Sequence, residues 1–204
     1  MSAIVLGQGD ALLIVDLQVD FLPGGSLGVP HGDAVVAPIG RLIALYRSRD
    51  LPVYVSRDWH PASHCSFAAQ GGPWPPHCVA GTPGAAFCPD LRLPDDVIVV
   101  SKADTADVDA YSAFGGTGLA QALRARGIRR LAVCGLATDY CVLNTVLDGV
   151  AGFEVLIVAE AMRAVDVSPG DGDRAMARML AAGAVPVRLS DHGLVADVEL
   201  GARP

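Results

Sequence analysis

The sequence predicts an α/β fold in which a parallel sheet is buried between helices on both of its faces. Three observations support this prediction. Short β-branched or apolar runs recur along the chain, helical patterns separate most of them, and the runs are apolar almost throughout. Strands without polar alternation are buried on both faces, which is typical of parallel sheets that helices cover.

Six strands and four helices follow from these patterns. The predicted strands are ALLIVD, VYVSRD, VIVVSK, RLAVCG, EVLIVAE and VPVRLS, which start at Ala11, Val53, Val97, Arg130, Glu154 and Val185. The predicted helices span residues 34–48, 117–126, 140–149 and 169–182. A chain of 204 residues with 51% hydrophobic content is long enough to bury one core. We therefore expect a single domain over residues 1–204.

Two connections are longer than is usual between such elements. One spans 21–33 after the first strand, and the other spans about 58–94 and is rich in Pro, Gly, His and Cys. Long connections without regular structure are usually functional in compact domains. Ligands of open α/β sheets bind beyond the carboxyl ends of the strands, so polar residues at those ends are candidates for a site.

Ionisable residues follow four different strands at this edge of the predicted sheet. Asp16 follows the first strand, and Asp58 and His60 follow the second. Lys102 follows the third strand, and the turn at 138–141 follows the fourth. Because these groups come from distant positions and converge on one edge, they predict an active site.

Two cysteines lie close to the fourth strand in different surroundings. Cys134 stands inside the apolar run, so we expect it to be a small buried hydrophobic residue. Cys141 falls in the first turn of a helix that we expect Thr138 or Asp139 to cap, where the helix dipole favours a thiolate. Packing of Cys141 beneath the helix is the alternative.

Asp16 and Lys102 supply the base and the cation that a nucleophilic thiol requires. Each also has a simpler explanation, since Asp16 could cap the turn before Phe21 and Lys102 could be a surface lysine. Their presence at the same edge as Cys141 favours a nucleophile over a packed thiol.

One aspartate and two histidines predict a metal site in the long connection. Asp58 and His60 are two residues apart, which points both side chains to one side if the strand continues. His77 follows a Pro-rich turn and offers a third ligand. One Asp and two His with open positions suit one divalent ion, Zn, Fe or Mn. We expect His64 to form hydrogen bonds beside this site, with ligation as the alternative.

The remaining cysteines and the overall charge limit the classes of partner. Cys65, Cys78 and Cys88 could form a thiolate zinc site, but no C-x-x-C pair occurs among them. An odd number of five cysteines cannot all form intrachain disulfides, and no apolar stretch approaches membrane-spanning length, so we expect a soluble, cytoplasmic protein. The formal net charge of -7 argues against nucleic acid and against an anionic membrane as partners.

With these residues, the chain resembles the nicotinamidases, including the pyrazinamidases, of the isochorismatase-like cysteine hydrolases. The matching tracts are VDLQVDFLPGGSLGV, RDWHPASHCSF, GGPWPPHCVAGTPGAAF, SKADTADVDAYSAFGG and GLATDYCV, in the order of the family. They cover nearly the whole length. The tract PWPPHCVAGTPG downstream of DWHP indicates the metal-dependent nicotinamidases within this superfamily.

The resemblance implies roles for the residues already singled out and adds several. The implied catalytic triad is Asp16, Lys102 and Cys141. The implied metal ligands are Asp58, His60 and His77. The implied oxyanion site is formed by the backbone N–H groups of Ala137 and Cys141, beside a cis peptide bond between Leu136 and Ala137. Phe21 and Trp74 match pocket residues around a pyridine ring, and His64 stands near a position that is an additional ligand in some members.

The resemblance also implies a three-layer sandwich, with a six-stranded parallel sheet in the order 3-2-1-4-5-6. The implied reaction is hydrolysis of nicotinamide to nicotinate and ammonia through a cysteine thioester, within NAD salvage. A different small-amide hydrolase of the superfamily is the alternative, and metal removal should hardly affect such an enzyme. A metal-binding or redox-sensing module is a third hypothesis, but sensing does not need a base and a cation beside the thiol. The sequence leaves open the identity of the metal, the preference between nicotinamide and pyrazinamide, and assembly into a homo-oligomer.

Overall fold

A computed structural model describes residues 3–197, which form an eight-stranded sheet with helices on both faces. The strands are β1 Ala3–Ile4, β2 Asp10–Val15, β3 Val53–Asp58, β4 Ile98–Lys102, β5 Arg130–Leu136, β6 Glu154–Arg163, β7 Val185–Ser190 and β8 Gly193–Ala196. The helices are α1 Val36–Arg47, α2 Leu119–Ala125, α3 Leu143–Gly149 and α4 Asp171–Ala181. Residues 1–2 and 198–204 of the predicted domain lie outside the described residues.

The strands lie in the order β1-β8-β7-β6-β5-β2-β3-β4. The strands from β7 to β4 in this order pair in parallel and have the order predicted for a six-stranded sheet. β1 and β8 extend the sheet beyond β7 with antiparallel pairing. The predicted α/β fold is therefore confirmed, whereas the predicted strand number of six is too low.

The two additional strands are too short to be predicted from the sequence. β1 has 2 residues and β8 has 4, so neither is long enough to show a hydrophobic period. β8 forms because the chain turns back after β7, which pairs Ser190 with Gly193. Their pairing depends on this tertiary arrangement and not on a local apolar run.

The residues of β2 show how the sheet becomes the middle layer. Leu12 and Ile14 pack into an apolar cluster with α1, and Leu13 and Val15 pack into a second cluster with α2, α3 and α4. All four side chains are fully buried. Successive side chains of a strand point to opposite faces, so a strand that is apolar at every position needs helices on both sides.

The sheet topology brings the carboxyl ends of four strands to one place. β2 pairs with β5 and with β3, so its carboxyl end lies at the topological switch point of the sheet. Asp58 at the end of β3 pairs with Lys102 at the end of β4. Val15 pairs with Gly135, which has a φ of 118°, and a Cβ at Gly135 would collide with the Val15 backbone. Glycine is therefore required where the two central strands approach each other.

The long connection after β3 has little regular structure. Between Trp59 and Pro94, which the structure describes throughout, only the 3-10 turns Ala68–Gln70 and Pro83–Ala85 occur. The segment instead folds over the carboxyl edge of the sheet, where His60 forms an isolated bridge with Val79. Within residues 3–197, no helix is both long enough and apolar enough to cross a membrane.

Candidate active site

The side chains of Asp16, Lys102 and Cys141 meet at the carboxyl edge of the sheet. Lys102 Nζ lies 3.0 Å from Asp16 Oδ2 and 3.5 Å from Cys141 Sγ. A carboxylate oxygen of Asp16 lies within 4.8 Å of Cys141 Sγ. All three side chains are buried. The structure therefore brings together a base, a cation and a thiol that are far apart in the sequence.

Asp16 is held in a defined orientation directly after β2. Its φ of 46° is left-handed, which turns the carboxylate out of the strand direction. Ser56 Oγ donates a hydrogen bond of 2.6 Å to Asp16 Oδ1. Among residues 3–197, Asp16 Oδ2 makes the ion pair with Lys102 but has no well-oriented hydrogen bond. Asp16 Oδ2 is therefore able to accept a proton from the thiol.

Lys102 is a fixed buried cation. Nζ pairs with both Asp16 and Asp58 and donates a hydrogen bond of 3.1 Å to Ala110 O. Burial alone would lower the pKa of Lys102, but the two carboxylates outweigh it and raise the pKa well above the ordinary value. Asp16, Asp58 and Cys141 could by distance hold a metal ion, but Lys102 already supplies the positive charge between them.

Burial dominates the protonation of the thiol and its base. It raises the pKa of Cys141 well above the ordinary value, although the attraction of Lys102 acts in the opposite direction. Burial likewise raises the pKa of Asp16, again against the attraction of Lys102. The expectation that the start of the helix favours a resting thiolate is therefore wrong. A neutral thiol must lose its proton as it reacts.

The predicted helix cap before Cys141 is also wrong. Thr138–Val142 forms a π-helical turn that leads into α3, and its start has no side-chain cap. The carboxylate of Asp139 instead accepts hydrogen bonds of 2.9 Å from the N–H groups of Val165 and Asp166. The oxygens that would have capped the helix are therefore used to hold the segment after β6.

Cys134 is a buried residue of the apolar run, as the sequence predicts. It is fully buried within β5 and packs in the apolar cluster of α1, whereas Cys141 packs in the cluster of the opposite face. Burial raises the pKa of Cys134 far above the ordinary value, without a neighbouring base or cation as a further cause. All five cysteines are unpaired in the described residues.

The metal ligands that the sequence predicts lie together and are buried. Ligand atoms of Asp58, His60 and His77 lie within 4.8 Å of one another. His60 Nδ1 donates to Ala103 O at 3.1 Å, and His77 Nδ1 donates to Pro75 O at 2.9 Å. These hydrogen bonds leave Nε2 of both rings as the ligand atoms, an arrangement that is usual for metal-binding histidines.

An unpaired buried atom tests whether these residues fit a metal ion. His60 Nε2 is buried and has no hydrogen-bond partner among residues 3–197, and it lies 3.6 Å from Asp58 Oδ2. Buried polar atoms are normally hydrogen-bonded, so this free lone pair beside a carboxylate fits the role of a metal ligand. One carboxylate and two imidazoles form a donor set that suits Zn, Fe and Mn.

His64 lies against the predicted metal ligand His60, and neither of its ring nitrogens is free. Its ring centroid is 4.2 Å from that of His60. Nδ1 lies 2.7 Å from Ser66 Oγ, and Nε2 donates to Val108 O at 3.1 Å. Because both nitrogens are engaged, the geometry supports the expectation that His64 is a hydrogen-bonding residue beside the site. Cys65, Cys78 and Cys88 do not form a ligand cluster within the part of the chain that the structure describes.

Gln18 holds the predicted metal ligand Asp58 from behind, and no sequence pattern singled it out. Its Oε1 accepts a hydrogen bond of 2.7 Å from Asp58 N–H. Its Nε2 donates to Asp58 O at 2.8 Å and to Ala85 O at 3.0 Å. The side chain is fully buried. Three hydrogen bonds from one amide therefore fix Asp58 against the long connection.

A cavity of about 330 Å³ opens above Cys141 and is also lined by the three predicted metal ligands. Phe21 and Trp74 line it, together with Tyr111 and Tyr140, which no sequence pattern singled out. Trp74 Nε1 donates a hydrogen bond of 3.1 Å to the Tyr111 hydroxyl. The rings of Trp74 and Tyr140 are 5.4 Å apart and nearly perpendicular. The cavity is suited to a small planar ligand between aromatic side chains.

The turn that carries Cys141 begins at a cis peptide bond between Leu136 and Ala137, which the resemblance to the family implies. Ala137 and Cys141 both line the cavity. Ala137 O accepts hydrogen bonds of 3.1 Å from the N–H groups of Tyr140 and Val142, which holds the turn in place. Binding of an oxyanion by the N–H groups of Ala137 and Cys141 remains a prediction.

Comparisons with known proteins identify the family of the chain and several similar proteins. Residues 10–191 match the family model described as Isochorismatase domain. The chain is 42% identical to the nicotinamidase of Escherichia coli (strain K12), over 89% of this chain and 95% of that protein.

Two solved structures are similar over most of their length. The pyrazinamidase of Pyrococcus horikoshii in complex with zinc has a TM-score of 0.85 and 43% identity, and the match covers 88% of this chain and 99% of that chain. PnC1 from L. infantum in complex with nicotinate has a TM-score of 0.84 and 38% identity, covering 92% of this chain and 96% of that chain.

Proposed function

The chain belongs to the isochorismatase family, and we propose that it is a metal-dependent amidohydrolase that converts nicotinamide to nicotinate and ammonia. The observation that carries the proposal is that the Cys141 thiol and the three metal ligands face the same small aromatic cavity. A flat amide with a ring nitrogen has groups for both the thiol and the metal. Pyrazinamide has the same two groups and is expected to be a substrate as well.

The similar proteins support the substrate and the metal. The Escherichia coli relative is a nicotinamidase, the Pyrococcus horikoshii structure contains zinc, and the L. infantum structure contains nicotinate. The proposal transfers these properties to a chain whose own cavity holds a thiol beside a metal donor set.

In the proposed mechanism, Asp16 removes the proton of Cys141 as the thiol attacks. Burial raises the pKa of both groups, so the thiol is neutral at rest and the Asp16 carboxylate is a stronger base than an ordinary one. The proton passes to Asp16 Oδ2 while Cys141 Sγ forms a bond to the carboxamide carbon. Lys102 lies close to both groups and stays protonated, so it compensates the charge in either proton position.

The remaining steps return the proton and release both products. The carboxamide oxygen becomes an oxyanion that the N–H groups of Ala137 and Cys141 stabilise. Asp16 protonates the amide nitrogen and the C–N bond breaks. Ammonia is released, and a nicotinoyl thioester of Cys141 remains. Water then loses a proton to Asp16 and attacks the thioester, which releases nicotinate. The proton finally returns to Cys141 Sγ.

Asp58, His60 and His77 would hold the divalent ion next to the place where the ring binds. When bound, the ion supplies a Lewis acid that the pyridine nitrogen can coordinate, which orients the ring. Trp74 and Tyr140 restrict the ring plane from the side of the cavity, so the carboxamide is held towards Cys141.

Benzamide provides the experiment that tests this function. It has the carboxamide and the ring size of nicotinamide but lacks the ring nitrogen. We expect kcat/KM for benzamide to be lower by about 10² or more, because the metal site is left without its ring ligand. Ammonia release from both amides is measured with metal-loaded and metal-stripped protein, and stripping should narrow the difference. Equal turnover of both amides by the loaded protein would instead favour another small-amide hydrolase.

The metal ligands are tested by comparing His77 with His64. His77→Ala removes a ligand, so the purified variant should lose bound metal and show a raised KM for nicotinamide. His64→Ala should keep most of its metal at saturating metal, although its affinity could fall by about 10 to 100-fold. Elemental analysis of both variants measures the difference. If His64→Ala lost its metal and His77→Ala retained it, His64 and not His77 would be the ligand.

We also propose a cytoplasmic location and a small-molecule substrate as the partner, without nucleic acid or membrane. The five unpaired cysteines support a reducing compartment. The net charge of -7 is unfavourable for binding a phosphate backbone.

A further inference from the structure

We infer that Asp20 is a positioning residue of the metal centre, because its carboxylate fixes the backbone of Cys78 and thereby the place of His77. The inference rests on the metal-dependent function proposed above. Asp20 lies in the connection after β2 and does not line the cavity. Its effect is therefore exerted through the neighbouring chain segment and not on the substrate.

The carboxylate of Asp20 joins two separate connections. Oδ2 accepts a hydrogen bond of 2.7 Å from Cys78 N–H, and Oδ1 accepts one of 3.3 Å from Ser26 N–H. The backbone oxygen of Asp20 also accepts a hydrogen bond of 2.9 Å from Leu27 N–H. Hydrogen bonds to a charged acceptor are stronger than neutral ones, so the bond to Cys78 is a strong link between the two connections.

Cys78 needs such a tie because its backbone is in an unfavourable conformation. Its φ of 45° is left-handed, a conformation that is sterically unfavourable for a residue with a Cβ. Such conformations persist only where the surroundings determine them. Asp20 accepts the hydrogen bond of Cys78 N–H, and the C=O of Cys78 accepts a hydrogen bond of 3.0 Å from His60 N–H. Cys78 thus connects Asp20 to the segments of two metal ligands.

A glycine leaves room for the carboxylate. A Cβ at Gly84 would collide with the carboxylate of Asp20, so Asp20 lies directly against the Pro83–Ala85 turn. The same turn receives a hydrogen bond from Gln18, which holds the metal ligand Asp58. Packing against this turn therefore connects Asp20 to the residue that holds Asp58.

The residue next to Asp20 contacts His77 directly. The ring centroid of Phe21 lies 5.9 Å from that of His77. Pro75 O sets the rotation of the His77 ring, whereas Asp20 and Phe21 restrict where the ring stands. Without Asp20, the segment at Cys78 can relax towards ordinary φ values, and His77 moves with it.

The test measures metal affinity in the absence of substrate. Zn²⁺ is titrated into metal-stripped protein against a chromogenic chelator. We expect Asp20→Ala to raise the Kd for Zn²⁺ by about 10 to 100-fold, as for other groups that orient metal ligands. Asp20→Asn keeps an acceptor for Cys78 N–H but loses the charge, so its Kd should rise by about fivefold. Asp33→Ala removes the same charge from an exposed position in the same connection and should stay within about twofold of the wild type.

A second measurement separates positioning from a general loss of stability. Saturating Zn²⁺ should restore most of the nicotinamide turnover of Asp20→Ala, because Asp20 does not touch the substrate. Folded Asp20→Ala with wild-type Zn²⁺ affinity would overturn the inference. If that variant does not fold, wild-type affinity in Asp20→Asn would overturn it. A wild-type protein that binds Zn²⁺ but does not hydrolyse nicotinamide would refute the proposed function and leave this inference standing.

Discussion

Cys141→Ala is expected to abolish ammonia release from nicotinamide, with a loss of about 10⁶ in kcat, as for removal of other catalytic nucleophiles. The physical reason is that, among the cysteines of residues 3–197, Cys141 is the one whose sulfur lies within hydrogen-bonding distance of Lys102. Lys102 Nζ is 3.5 Å from Cys141 Sγ, and Asp16 faces the same sulfur. Steady-state ammonia release by the metal-loaded variant measures the effect.

Cys134→Ala is the matched control for this result. This variant also removes a thiol from the segment around β5, but the side chain of Cys134 is buried on the opposite face of the sheet. We expect this variant to keep its turnover and to lose about 1 kcal/mol of stability, measured by denaturant unfolding. An inactive Cys134 variant together with an active Cys141 variant would show that the nucleophile is wrongly assigned.

Asp16→Asn is expected to lower kcat by about 10² to 10⁴, the usual range for loss of general acid and base catalysis. Asparagine keeps the shape of the side chain, and its amide oxygen can still accept the hydrogen bond from Ser56. It cannot take the proton of Cys141 or return it to the amide nitrogen. Initial rates with saturating nicotinamide and metal give the change in kcat directly.

Ser56→Ala provides the control for Asp16, because it removes a hydrogen bond to the carboxylate and leaves the carboxylate in place. Its loss in kcat should be smaller than that of Asp16→Asn. Thermal unfolding of both variants checks that each remains folded. A loss of less than about threefold in kcat for Asp16→Asn would exclude Asp16 as the base.

The sheet and the convergence of the site could be predicted because both depend on simple geometry. Strands that are apolar at every position require helices on both faces, and the carboxyl ends of parallel strands share one edge. Asp16, Asp58 and Lys102 each stand at the end of an apolar run, so their meeting follows once the runs are read as strands. The resemblance to a family supplied the strand order that patterns alone do not give.

Residues whose importance depends on strand register could not be predicted in this way. Ser56 stands within an apolar run, and only the pairing of β3 with β2 places its hydroxyl on Asp16. Gln18 and Tyr111 likewise have partners that are far away in the sequence, Asp58 and Trp74. Such contacts have no local signal, because each partner is set by the tertiary fold.

The wrong expectation of a resting thiolate has a different cause. The sequence shows that Cys141 lies near the start of a helix, but it does not show how deeply the sulfur is buried. Burial raises the pKa of Cys141 by more than Lys102 lowers it. The oxygens of Asp139, which were expected at the helix start, are held by the segment after β6. The depth of the Cys141 sulfur explains the raised pKa, and the competing hydrogen bonds of Asp139 explain the absent helix cap.

The most direct test of the central claim is the release of both products from nicotinamide by metal-loaded wild-type protein. Nicotinate is measured by chromatography and ammonia by a coupled assay in the same samples. The proposed reaction predicts equal amounts of the two products. The rate of release should fall to the background in Cys141→Ala and should fall strongly after removal of the metal from the wild type. Release by the wild type at no more than the rate of Cys141→Ala would contradict the account.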